Sequence, residues 1–109
     1  VMGVWRSDWV LIGADIDYDQ FDEYKYEEYE KFEGVDRPGE ITYLIDVMGG
    51  DYFVVGEVVT KASEYAGFRL SEIEVGDIYE NACERVRAHI RNEFGIEAEP
   101  KLIVITHFT

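Results

Sequence analysis

An α+β fold with a four-stranded antiparallel sheet and two helices on one face is predicted from three observations. Four runs of residues have strand character, at 9–18, 41–47, 52–59 and 101–108. Two further runs, at 19–33 and 78–94, repeat their apolar residues at helix spacing. The third observation is the pair Gly49-Gly50, which folds the two middle strands back on each other and leaves a strand-like and a helix-like run on either side in mirror order.

In the first run, WVLIGADIDY, Val10, Ile12, Ala14, Ile16 and Tyr18 make a continuous apolar face that suits helices packed above it. The opposite set, Trp9, Leu11, Gly13, Asp15 and Asp17, begins apolar and turns acidic. Trp9 and Leu11, with Leu44 of the next strand, therefore imply a covered surface or a contact between copies. Residues 19–33, DQFDEYKYEEYEKFE, put Phe21, Tyr24, Tyr29 and Phe32 in an arc of about 140° on a helix, with Tyr26 at its margin. Asp19 is placed as its N-cap, Asp22 and Glu23 favour the positive end of its dipole, and Gly34 stops it.

The hairpin follows. Ile41, Tyr43, Ile45 and Val47 alternate with Thr42, Leu44 and Asp46, and from Tyr52 the chain is rich in β-branched and aromatic residues. Gly56 marks a bulge or a close approach of another group. Asp46 and Asp51 flank the turn as solvated polar residues. Residues 61–67 read as a polar exit, and 68–75 fit either a strand or a loop that tucks Leu70, Ile73 and Val75 under the second helix. Asp77 and Glu80 have capping-box spacing ahead of that helix. Its apolar stripe includes Ile78, Ala82, Cys83, Val86, His89, Ile90 and Phe94, and Gly95 ends it. Pro100 opens the last strand, where Leu102, Val104, Thr106 and Phe108 alternate with Ile103, Ile105 and His107.

The order strand, helix, strand, strand, helix, strand is the split βαβ, ferredoxin-like arrangement, and right-handed crossovers put the first and third strands in the middle. The 109 residues read as one domain, with Val1 ahead of Met2 as a cloning remnant. A single cysteine rules out an internal disulfide, and no run approaches the roughly 20 apolar residues of a membrane span. With no signal-peptide pattern, a cytoplasmic protein is expected.

The formal charge is −14, from 10 basic and 24 acidic residues. Phosphate backbones and anionic membranes would be repelled, so no direct nucleic acid and no membrane are expected as partners. A basic protein surface or a cation is the natural complement. Topology alone also matches several RNA-binding modules, but residues 51–57 carry acids where such modules need positive charge.

Candidate chemistry is sparse. Asp15, Asp17 and Asp19 imitate the opening of a calcium loop, yet Gln20 and Tyr26 stand where an EF-hand needs glycine and a bidentate glutamate. A looser carboxylate site for Mg or Ca at Asp15, Asp17 and Asp19 is the enzymatic alternative. Otherwise no cofactor is expected. Cys83 and His89 stand six residues apart, which suits a core cysteine and a partly buried histidine better than metal ligands. Ser7, Ser63 and Ser71 lack a nucleophile context, and the glycine-rich phosphate-binding motifs are missing.

The distinctive segment is the first helix. Asp19, Asp22, Glu23, Glu27, Glu28, Glu30 and Glu33 are opposed only by Lys25 and Lys31, with tyrosines interleaved. Carboxylates spaced in this way imitate the phosphates of nucleic acid and fit a basic groove, while tyrosine supplies rigid contact area. The expected function is a non-enzymatic interaction module. Its docking residues are Asp19, Asp22, Glu23, Tyr26, Glu27, Glu30 and Glu33, and its partner is a basic, nucleic-acid-handling protein. A homo-oligomeric subunit joined through the sheet face at Trp9, Leu11 and Leu44 is the third reading.

Overall fold

The computed structural model describes residues 6–17, 19, 23–46, 49–63 and 76–108, without the side chains of Glu23, Tyr26 and Ser63. The strands are β1 (Arg6–Asp15), β2 (Ile41–Ile45), β3 (Phe53–Ser63) and β4 (Lys101–Phe108), and the α-helices are α1 (Tyr26–Tyr29) and α2 (Tyr79–Phe94). They form a four-stranded sheet of order β2-β3-β1-β4, antiparallel at every pairing. The first and third strands are central, as the crossover rule requires.

Period-two alternation divides the sheet into two buried faces. On the helix side, Ala14, Ile16, Tyr43, Ile45, Phe53 and Val55 pack with Tyr29 from α1 and with Val86 and Ile90 from α2. Both helices therefore cover one face. Aromatic rings fill this core: Phe32 stacks on Tyr43 at 4.8 Å between centroids, and Phe53 meets Phe94 edge-on at 5.5 Å. Beside it, Ile12 packs with Ala82 and Cys83.

The other face is not open. Trp9, Leu11 and Leu44 are 1%, 0% and 0% exposed and pack with Val54 and Val58. Of the two expectations for these residues, a covered surface is what the single chain shows. Trp9 also donates from Nε1 to Ser7 Oγ at 2.9 Å, and Lys61 lies 4.9 Å above its ring.

Several boundaries differ from the sequence reading. β1 lies three residues earlier than periodicity suggests, because Arg6, Ser7 and Asp8 pair with Phe108, His107 and Thr106. Likewise Lys61 and Ala62, read as a polar exit, continue β3 by pairing with Trp9 and Asp8. Ladder partners, which local alternation does not register, satisfy these polar residues. The bulge falls between Val58 and Thr60, opposite the Val10/Leu11 step, rather than at Gly56. Gly56 instead faces Gly13 where the two central strands come close.

The expected helix over 19–33 is the largest correction. A 3-10 turn (Glu23–Lys25) runs into the single α-turn of α1, and Tyr24 is 92% exposed rather than packed. Like charges four apart, Asp19/Glu23 and Glu23/Glu27, weaken helix here. The backbone beyond α1 has another use. Tyr43 N–H donates to the Phe32 carbonyl, Gly34 N–H donates to the Tyr43 carbonyl, and Glu33 bridges Tyr43 in parallel. Residues 32–34 thus line the outer edge of β2.

At α2 the expected capping box is not formed. Ile78 occupies the N-cap position with no side-chain hydrogen bond, whereas Gly95 closes the C-terminus at φ 69°. The hairpin turn is organised by Asp46, whose carboxylate accepts from Gly49 and Asp51 N–H at 2.9 and 3.1 Å. The alternatives for 68–75 and the positions of Tyr18, Phe21 and Val47 lie outside the described residues.

Candidate functional site

The acidic segment begins where β1 leaves the sheet. Asp15 ends the strand and is exposed, and Asp17 and Asp19 follow on the surface. Asp17 Oδ1 accepts from Asp19 N–H at 3.0 Å, a local turn in which the carboxylate serves the backbone. Among the described residues no group of three histidine, cysteine, aspartate or glutamate side chains converges to hold a metal ion. The three aspartates are consecutive on the surface but are not brought into one coordination sphere.

Beyond them, Glu27, Glu28 and Glu30 are exposed, while Glu33 is half-buried beside β2. Asp22 lies outside the described residues, and for Glu23 and Tyr26 only the backbone is placed. Among the described side chains of α1, Tyr29 turns inward and packs against Tyr43, Phe53 and Phe94. That anchor fixes one side of the turn on the core and leaves its carboxylates in water.

Ion pairs divide the surface charge unevenly. Arg85 pairs with Glu57, Arg87 with Glu84 and Glu99, and Arg91 with Glu97, so the arginines of α2 each have acidic partners. Arg6 pairs with Asp8, and Lys61 with Asp36. Among the described residues, none of these ion pairs reaches Asp15, Asp19, Glu27, Glu28 or Glu30. The β1 exit and α1 thus present a run of exposed carboxylates close together in the chain.

Buried polar chemistry lies elsewhere; the sequence marks His89 as partly buried but names none of the partners. Tyr43 Oη and His89 Nε2 are 2.6 Å apart on the helix side, and Tyr52 Oη and His107 Nδ1 are 2.6 Å apart on the other face. Glu57, 3% exposed, is held by two hydrogen bonds from Arg85. A lone acid within an otherwise apolar strand was the available signal for this pair, since such a group needs a cation on whatever packs over it. A groove beside α2 is lined by Tyr79, Glu80, Cys83, Glu84, Arg87 and Pro100. The Cys83 thiol is buried and points at the Pro100 carbonyl.

Burial lowers both histidines from their ordinary range, partly offset by Glu93 at His89 and by Asp46 at His107, where Lys61 adds to the lowering. Burial, followed by the nearby Glu93, raises the Tyr43 phenol far above the usual tyrosine range, and burial raises Tyr52 as well. The histidine shifts set a pH dependence. Below the ordinary histidine pKa of about 6.5, the unfolded chain takes up protons that the folded chain refuses. This contribution to stability is complete above that pH and is lost as pH falls toward the folded values. The melting temperature is expected to drop more for the native protein than for His107→Gln between pH 7.5 and 5.5, as read by calorimetry. Parallel curves would show that His107 does not carry this dependence.

No protein-family model matches the sequence, and neither a curated protein nor a solved structure matches it either.

Proposed function

We propose that the protein is a non-enzymatic interaction module that docks its acidic segment onto a basic surface of a nucleic-acid-handling protein, as an inhibitor or nucleic-acid mimic. The observation that carries this reading is the run of exposed carboxylates from the β1 exit through α1. Asp15, Asp19, Glu27, Glu28 and Glu30 are exposed and enter no ion pair among the described residues, whereas beside α2 the arginines pair with Glu57, Glu84, Glu97 and Glu99. Exposed carboxylates on a small anchored turn can attract a partner's cations, and in a protein of charge −14 they add to a long-range steering field. Tyr24, 92% exposed among them, offers the rigid aromatic contact that interfaces favour.

The test is affinity capture with the native chain and with Glu27→Lys/Glu30→Lys, at low and moderate salt and with duplex DNA as competitor. Glu33 is left unchanged because it sits half-buried at the β2 edge. A bound protein should be lost at moderate salt, displaced by DNA, and weakened at least about tenfold by the double reversal, while the melting temperature stays within a few degrees. Capture that survives both the reversal and the DNA would overturn the reading.

A further inference from the structure

We propose that β4 is a self-association edge, where two copies of this chain join antiparallel into one continuous sheet. The two edges of the sheet are treated differently. β2 is lined on its outer side by residues 32–34, whereas β4 pairs with β1 alone among the described residues. An edge strand presents unpaired backbone N–H and C=O groups, and proteins commonly guard such edges with charge, proline or a bulge. Residues 101–108, KLIVITHF, contain no acid and no proline in a chain of 24 acidic residues, and the pairing of β4 with β1 runs without a register shift.

The side chains add an apolar surface. α2 packs over β1 and β3, and Leu102, Val104 and Phe108 on the same side of the sheet remain 44%, 69% and 56% exposed. The occupant follows from the order of residues along the strand. A two-fold axis through Ile105 places Leu102 opposite Phe108 of the second copy, and does so twice. It also sets Val104 against Thr106 twice and Ile105 against itself on the other face. Large residues meet large ones and no acid enters the contact, so β4 is its own antiparallel complement. A basic partner strand would find no carboxylate on β4 to pair with. Residues 32–34, the far end of the acidic segment, lie beside β2 at the opposite edge of the sheet, so the dimer would leave that end outward in both copies.

Charge supplies a discriminating test. Two chains of −14 repel, so added salt should strengthen this dimer, whereas it weakens docking through the acidic segment. Light scattering after size exclusion, over a concentration series at low and high salt, should show twice the 12.6 kDa chain mass, reached at lower concentration in high salt. Val104→Lys places a charge at an exposed edge position. It should raise the dimer dissociation constant at least about tenfold with little change in fold. As a check that does not depend on that variant, Leu102→Cys/Phe108→Cys treated with diamide should give a covalent dimer, since directly opposite residues lie within reach of a disulfide. The native chain, whose Cys83 is buried, should remain unlinked. A monomer at every concentration and salt, or a dimer that Val104→Lys leaves intact and the cysteine pair fails to trap, would overturn the proposal.

Discussion

Gly13→Ala is expected to lower the melting temperature by roughly 15 °C, corresponding to about 3 kcal/mol in a domain of this size. The reason is the paired glycines at the centre of the sheet. Gly13 and Gly56 face each other across β1 and β3, and a Cβ on Gly13 would stand 2.4 Å from the Val55 carbonyl oxygen and 2.7 Å from Gly56 Cα. These are backbone atoms of a central strand with Val54 and Val55 fully buried beside them, so no flexible side chain can move aside. Gly56→Ala meets Gly13 Cα and the Ile12 carbonyl at 3.0 Å and should be damaging to a lesser degree. Gly76→Ala, with nothing within 4 Å, provides the neutral comparison. Thermal melts that place Gly13→Ala level with Gly76→Ala would show that the two strands separate easily and that the close approach does not constrain the sheet.

The second large effect concerns Glu57. Its neighbours in register across the sheet are Ile12 and Ile41, and Arg85 reaches over from α2 to its two oxygens at 2.6 and 3.0 Å. Arg85→Leu leaves a buried carboxylate with no counter-charge and should lower the melting temperature by roughly 10 °C. Glu57→Leu/Arg85→Leu should recover most of that loss, because it removes the buried carboxylate itself, while the Arg85 side chain is 55% exposed and reaches the acid from the surface. Equal losses in the single and double variants would assign the effect to the packing of the arginine stem instead.

These two sites also show what alternation and periodicity can register. The strands, the turn at Gly49-Gly50, the second helix and its Gly95 stop were legible because each depends on neighbours within a few residues. The acidity of residues 15–33 was legible for the same reason. Gly56 read as a bulge or a close approach and Gly13 as one position of a strand face, and only the register that sets them opposite each other turns them into one constraint. Glu57 read only as one of the acids of residues 51–57 until α2 placed Arg85 above it.

From the sequence alone came the class of fold, the order of its elements, the charge of −14 and the acidic run itself. Tertiary structure decided which acids are ion-paired. Ion pairing depends on which helix packs beside which strand, and the arginines of α2 are held near Glu57, Glu84, Glu97 and Glu99, with none of their pairs reaching α1. It also decided that the expected first helix would shrink to a single turn. Tyr43 of β2 draws residues 32–34 into pairing, and a long-range hydrogen-bonded contact of that kind outweighs a helical period that like charges had already weakened.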